Sequence, residues 1–392
     1  EAMTPKTAER LLYNDIIPLT VVRREHEVLK RFLSLVTKVY EIQDILKEIL
    51  VNVSIKEEFI HTLTGFFSIP GRREELSGLS PEELTMTAIC GLPEKKDTLT
   101  RFLDANEFDI PPLPNLYFCR DYGMVFRDLV LTGSMANYVR RLEALLSRFC
   151  FRYHPDFRNK GLVFDGAMKT NPEISLEGGD FIVLDKNTLL LGISERTTTQ
   201  AVDLLLDRLI ALGTGDLTIF AVLLPKERAT IHLDMVFTII DRNFCLVHEP
   251  VILGKDNSPV IRIDVNKKGE VSLRRVDKLL SGLSERGFNF EPVICGGYDP
   301  RLQQREQWIS GANSFAFAPG KIILYDCNEA TLKELEKSGF PIVLASQFIS
   351  GRDSLDRYQR LVVGVPGVEL ARGGGGIRCM TLPVCREPLE SE

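Results

Sequence analysis

The chain has 392 residues, 44% hydrophobic and 26% charged, with a formal net charge of −6, the balance of a globular protein with room for one large domain or two ordinary ones. Both signs of charge are spread along it, so no basic block invites nucleic acid, and no apolar run is long enough to span a membrane. Eight cysteines without a Cys-x-x-Cys pair and five histidines away from metal-ligand spacing read as reduced thiols in the cytoplasm and no metal site.

The start, Glu1-Ala2-Met3-Thr4-Pro5, has neither a signal pattern nor an initiator methionine. Residues 15–110 are expected to be mainly helical. Val28, Leu29, Phe32, Leu35, Val36 and Val39 recur at helical spacing, and Ile42, Ile45, Leu46 and Ile49 continue the pattern. Ser80-Pro81-Glu82-Glu83 supplies an N-cap with proline at the first helical position. Pro111-Pro112-Leu113-Pro114 ends this region, and short β-rich runs then alternate with single helices.

In that second region strands are expected at Asn115–Arg120 and Met124–Leu131, then a helix over 134–150. A hairpin of Phe181–Leu184 and Leu189–Ile193 precedes a helix at about 199–212. Another, Met235–Ile240 with Phe244–His248, precedes a helix near 275–286. A third, Phe315–Phe317 with Ile322–Tyr325, precedes a helix at about 329–338 and a strand at Ile342–Ser346. Strand–strand–helix–strand thus recurs without residue-level repetition, which predicts an α+β fold of repeated modules with a helical insertion or appended helical domain. Hairpins demand antiparallel pairing and no Gly-x-Gly-x-x-Gly follows an early strand, so a doubly wound sheet is the poorer reading.

The segment Arg372-Gly373-Gly374-Gly375-Gly376-Ile377-Arg378-Cys379 is the most informative chemically. Consecutive glycines are costly to order, and they suit backbone that lies close to a ligand or takes positive φ. Cys379 next to Arg378 is then placed to react, although a flexible loop and a buried apolar cysteine are the ordinary readings of each piece alone. Three acidic segments accompany it: Asp121 at the end of a strand, Glu177 and Asp180 around Gly178-Gly179, and His232 with Asp234 two residues apart, on one face if the chain is extended. Carboxylates near a thiol raise its pKa, which hinders a general cysteine hydrolase. They become useful if the substrate is a guanidinium, whose planar N–H donors two carboxylates can share and whose charge then favours the thiolate. Arg378 could act in the same direction.

The ordered set Asn115-Leu116-Tyr117-Phe118-Cys119-Arg120-Asp121, Glu177-Gly178-Gly179-Asp180, Ser194-Glu195-Arg196-Thr197, His232-Leu233-Asp234 and Gly373–Thr381 resembles the arginine deiminase family, over most of the chain from about Leu11 onward. The resemblance implies the pentein fold of the guanidine-modifying superfamily: a β/α propeller of about five strand–strand–helix–strand modules with a helical insertion. Residues 1–43 would be a partial first module without its N-terminal strand, 44–112 the helical insertion, and 113–392 the remaining catalytic modules. It implies hydrolysis of L-arginine to L-citrulline and ammonia with no cofactor, by attack of Cys379 on the guanidinium carbon and a covalent thiouronium. Asp121 and Asp234 would grip the guanidinium, Glu177 orient it and relay protons, and His232 act as acid and base. Arg140 and Arg196 would hold the substrate carboxylate, while Asn115, Phe118, Asp180, Gly373 and Arg372 would line or contact the pocket. A dimer or tetramer is expected on the same ground.

The family usually begins with a strand carrying a His-Arg-Pro-Gly-like run, which this chain lacks, so the first module is either truncated or built differently. Cys119 stands where threonine is usual, and Gly374 where some members have a loop arginine, a loss for which Arg372 could compensate. The rival readings are a hydrolase of agmatine or methylated arginine, an amidinotransferase using the same intermediate, and a non-catalytic homologue.

Overall fold

The computed structural model describes residues 3–387 apart from 6, 158–160, 169, 170, 172 and 256. The N-terminal part is helical, with helices Leu19–Val36, Ile42–Leu50, Val53–Phe66, Arg73–Gly78 and Pro81–Cys90. Ser80 starts the last with a capping box: its hydroxyl accepts from Glu83 N, and the Glu83 carboxylate accepts from Ser80 N. Leu46, Leu50, Phe59, Leu63 and Leu84 join Leu145 and Phe149 of the Arg141–Tyr153 helix in one core. The 19–36 helix goes elsewhere, burying Leu29 and Phe32 with Ile323, Leu361 and Val363 of the C-terminal strands.

From Gly123 onward one pattern occurs four times among the described residues: an antiparallel hairpin whose second strand also pairs in parallel with a third. The first is Gly123–Phe126 with Leu129–Thr132, followed by Gly161–Asp165. The second is Phe181–Asp185 with Thr188–Ile193, then Leu217–Leu223. The third is Phe237–Asp241 with Phe244–Val247, then Glu291–Ile294. The fourth is Phe315–Ala318 with Lys321–Tyr325, then Leu361–Val365. A parallel return needs a crossover, and the helices Arg141–Tyr153, Thr199–Ala211, Leu279–Ser284 and Glu329–Lys337 lie in those connections.

Several local expectations change. Asn115–Arg120 is not a strand: Phe118 N turns back to Asn115 O at 2.9 Å, and the helical turn Cys119–Tyr122 follows. Its backbone finds a partner in the C-terminal loop instead, Arg120 N donating to Cys379 O at 3.0 Å. Met124–Leu131 is two strands, because Arg127 takes a left-handed φ of 55° and reverses the chain, its guanidinium donating to Lys186 O and Thr214 O. The helix expected over 134–150 begins only at Arg141, after a 3-10 turn at Tyr138–Arg140. The helix expected near 275–286 is the strand Val271–Val276 followed by the short helix Leu279–Ser284. That strand and Val260–Val265 extend the second module's sheet to five strands; the outer strand is exposed apart from Val276, with Val271 and Leu273 among its exposed side chains. Ile342–Leu344 is a strand but the chain turns helical at Ala345.

The repetition has a consequence for function. In the first three modules a short helical turn immediately precedes the first strand: Cys119–Tyr122, Gly178–Asp180 and Leu233–Met235; in the fourth, residues 310–313 form a turn there. These turns touch one another. A Cβ on Gly178 would fall 2.0 Å from Arg120 O, and one on Gly179 2.5 Å from the His232 ring, so glycine is required at both.

Candidate active site

The turns bring Asp121, Glu177, His232 and Asp234 together with Cys379, all buried. His232 Nε2 lies 3.0 Å from Glu177 Oε2, and Nδ1 3.6 Å from Asp121 Oδ1. Glu177 Oε1 accepts from Ala136 N at 3.0 Å, fixing the carboxylate plane. Burial pulls the His232 pKa down, but Asp121, the Glu177 hydrogen bond and Asp180 outweigh it and hold the imidazole above its ordinary 6.5. Burial would raise Glu177, yet Arg196 and His232 hold it below the usual carboxylate range. Both directions favour the proton on the histidine side of the pair.

Asp121 Oδ1 and both oxygens of Asp234 are buried and make no hydrogen bond among the described residues. Arg378 Nε approaches Asp234 Oδ2 at 3.3 Å, so this arginine answers the aspartate rather than the thiol it neighbours in sequence. The Cys379 thiol is held well above its ordinary pKa by burial, then by Asp234 and Asp121; Arg120, fully buried, pulls the other way. Such a site leaves buried acceptors that a cation with several N–H donors would satisfy, each charge-assisted bond being worth about 1.5–3 kcal/mol.

Asp121, Glu177 and His232 each bring one ligand atom within 4.8 Å of the others, the spacing a metal ion could use. The protonation just described disfavours that use, because an imidazolium has no lone pair to give.

Cys379 is held by more than its glycines. Its N–H donates to Asn313 Oδ1 at 3.1 Å, and Asn313 Nδ2 donates to Asp234 O at 2.9 Å, so one buried amide ties the thiol segment to the aspartate segment. Tyr325, also buried, donates its hydroxyl to Gly375 O at 3.0 Å. The glycine run makes room for protein rather than for ligand: Cβ atoms on Gly373, Gly375 and Gly376 would fall 2.2 Å from Tyr117 Oη, 2.4 Å from the Phe118 ring and 2.6 Å from Asn313 Oδ1. Gly374 alone in the run takes a positive φ, 92°. Neither Asn313, Tyr325 nor Arg120 was singled out from sequence; Arg120 sat inside a recognised motif, while the other two carry no local signal.

Four of the residues expected to contact substrate have protein partners in this structure. Asp180 spends both oxygens on the protein, Oδ1 accepting from Leu233 N at 2.9 Å and Oδ2 from Ser194 Oγ at 2.6 Å, and burial raises its pKa to about 7. It is a strut for the His232–Asp234 segment. Arg140 is fully buried against Asp121 Oδ2 at 2.6 Å and Glu143 Oε2 at 2.8 Å, and also donates to Phe118 O, leaving one N–H uncommitted. Its guanidinium fixes the position of Asp121 Oδ2. Arg372 is at the surface, paired with Asp15 and Glu369. Gly373 lies under Tyr117. Of the others, Arg196 Nη1 is 3.6 Å from Glu177 Oε2, Phe118 is tilted against Tyr117 with centroids 4.1 Å apart, and Asn115 donates to Leu11 O at 2.9 Å. His232 and Asp234 do not share an extended strand; the chain is extended at His232 and then turns at Leu233–Met235.

Comparison with known proteins adds a second line. A protein-family model described as arginine deiminase matches residues 9–386. A relative named arginine deiminase, from Listeria welshimeri serovar 6b, is 31% identical over 404 residues, covering 99% of this chain and 94% of its own length. Another of the same name, from Listeria monocytogenes serotype 4a, is 32% identical over 410 residues, covering 100% of this chain and 93% of its own. Among solved structures, unliganded AgrE is similar with a TM-score of 0.46 and 17% identity, over 71% of this chain and 31% of that one.

Proposed function

The chain belongs to the arginine deiminase family, and on that premise we propose that it hydrolyses L-arginine to L-citrulline and ammonia through a covalent thiouronium on Cys379. The observation that carries the reading is the cluster of buried carboxylate oxygens on Asp121 and Asp234 that accept no hydrogen bond among the described residues, beside Cys379 and the His232–Glu177 pair.

Binding of the guanidinium satisfies Asp121 and Asp234 and adds a positive charge beside Cys379, which lowers the thiol pKa where the empty site raises it. The Cys379 thiol gives its proton to solvent, since His232 is already protonated, and the thiolate attacks the guanidinium carbon, forming a C–S bond and a tetrahedral intermediate as the C=N π pair moves onto nitrogen. His232 gives its proton to the departing nitrogen, ammonia leaves, and the thiouronium remains. Now neutral, His232 takes a proton from water as that water attacks the same carbon, and the C–S bond breaks to give citrulline and restore the thiolate. Glu177 holds the His232 ring in place through the cycle and stabilises it whenever it is protonated. No step draws on a metal or an organic cofactor.

The modular strand pattern supports a propeller arrangement of pentein type, with residues 44–112 as a helical insertion on the catalytic modules. We place the enzyme in the cytoplasm as a homo-oligomer, on its unpaired, scattered cysteines and on family likeness respectively. The test is citrulline release from L-arginine. Wild-type protein should form it and Cys379→Ala should not; a folded wild-type protein that leaves arginine intact would sink the proposal.

A further inference from the structure

Most cations around the site face a carboxylate: Arg140 has Asp121 and Glu143, Arg196 has Glu177, and Arg378 has Asp234. Arg120 is buried, 3% exposed, and makes no ion pair among the described residues. Its bonds go to one short loop instead. Nε donates to Arg378 O at 3.2 Å and Nη2 to Thr381 Oγ1 at 3.4 Å, and the Thr381 hydroxyl donates to Arg378 O at 3.0 Å. The Arg120 backbone N–H donates to Cys379 O at 3.0 Å. One residue thus grips the chain before, at and beyond the thiol, while Asn313 accepts from Cys379 N. A buried charge is costly to keep unless a counter-charge lies near it. Burial, Arg378 and Arg386 weaken the hold of Arg120 on its proton, and Asp234 and Cys119 strengthen it. The neighbour that becomes an anion during the reaction is the Cys379 thiol.

We propose that Arg120 is a positioning residue for the nucleophile, which holds the 378–381 backbone in place and supplies a fixed counter-charge to the Cys379 thiolate. The inference rests on the reading of Cys379 as the nucleophile of arginine hydrolysis. The substrate brings its own positive charge to the thiolate only in the first half of that reaction. In the second half, water has added to the thiouronium carbon and the C–S bond breaks with its electron pair going to sulfur. The carbon–oxygen double bond forms, the hydroxyl proton passes to solvent, and the citrulline that results has a neutral ureido group. The departing thiolate then faces Asp234 and Asp121, which oppose its charge, and Arg120, which favours it. Arg378, its neighbour in sequence, is turned to Asp234, and the Tyr325 hydroxyl is committed to Gly375 O. A cation built into the fold therefore does in the second half what the substrate does in the first.

The test uses the full chain and separates charge from position. Arg120→Gln removes the charge, whereas Arg120→Lys keeps it and loses the forked reach to Arg378 O and Thr381 Oγ1. In substrate-free protein at about pH 9, iodoacetamide alkylation read on the Cys379 peptide should slow about threefold to tenfold in Arg120→Gln, following the smaller thiolate fraction. Arg120→Lys should alkylate within about twofold of wild type. With L-arginine, kcat should fall about tenfold or more in Arg120→Gln while KM changes by less than about threefold, and Arg120→Lys should recover part of kcat. The Cys379 adduct, followed by acid quench after arginine is diluted away, should decay more slowly in Arg120→Gln than in wild type. Thr381→Val, which removes one anchor and leaves the charge, should lower kcat without moving alkylation; an unchanged kcat there would overturn the positioning role even where the Arg120 variants fail to fold. Alkylation of Arg120→Gln at the wild-type rate, or equal losses in Arg120→Gln and Arg120→Lys, would overturn the counter-charge. A wild-type chain that forms no citrulline would instead remove the functional reading, which the alkylation rates do not depend on.

Discussion

Asp234→Asn keeps the shape of a buried side chain, removes its charge, and should move thiol reactivity and turnover in opposite directions. After burial, Asp234 is the largest influence raising the Cys379 pKa. Two unit charges about 4 Å apart in an effective dielectric near 20 interact by about 4 kcal/mol, the scale of influence a neighbouring carboxylate can have on a thiolate. Arg378, 3.3 Å from Asp234 Oδ2, offsets part of that charge, and the free thiol should titrate lower in the variant than in wild type. Turnover should fall even though the thiol is easier to ionise, because the substrate loses a charge-assisted partner worth about 1.5–3 kcal/mol, a drop in kcat/KM of about tenfold to a hundredfold. The assay is the rate of iodoacetamide alkylation of Cys379, read by peptide mass across about pH 6 to 11 in protein free of substrate, alongside citrulline formation. A variant thiol that titrates at or above the wild-type position would refute the electrostatic account.

Asn313→Ala leaves Cys379 N and Asp234 O without their shared partner, at a cost of about 1–3 kcal/mol for each buried group. Its kcat should fall more than its KM changes, in steady-state kinetics. Gly375→Ala forces a methyl to within 2.4 Å of the Phe118 ring, an overpacking of about 1–3 kcal/mol that should lower both the melting temperature and activity. Asp180 has its folded pKa raised from 3.8 to about 7, so folding takes up a proton between those values. Its contribution to stability is therefore greatest at low pH and declines as pH rises through that window. Asp180→Asn removes the decline, and urea titrations at the two ends of the window should show the variant gaining on wild type toward neutral pH; a constant difference would contradict the raised pKa.

Much of this was legible in the sequence, for identifiable reasons. The hairpins at 181–193 and 315–325 are apolar runs separated by turn residues, a signal confined to a few neighbouring positions. The chemical groups were legible because carboxylates and an imidazole interrupting strand-like sequence are unusual wherever they occur. What the sequence hid depends on distant parts of the chain. Asp180 and Glu177 look alike beside a glycine pair, and only the positions of Leu233 N, Ser194 and His232 make one a strut and the other the partner of the imidazole. Arg140 looks like an exposed helix charge until Asp121 and Glu143 close around it. The glycine run was read as space for substrate, whereas Tyr117, Phe118 and Asn313 fill that space. Asn313 lies 66 residues before Cys379, within no motif, and its role exists only once the fourth module's turn meets the C-terminal loop.

The most direct test of the central claim is the state of Cys379 during turnover. Protein mixed with L-arginine, quenched in acid at short times and digested should yield a Cys379 peptide heavier by the mass of arginine less ammonia. The same added mass should be absent from the His232 peptide and from digests of Cys379→Ala. Citrulline accumulating with no such adduct at any quench time, or an adduct on another residue, would contradict covalent catalysis at Cys379.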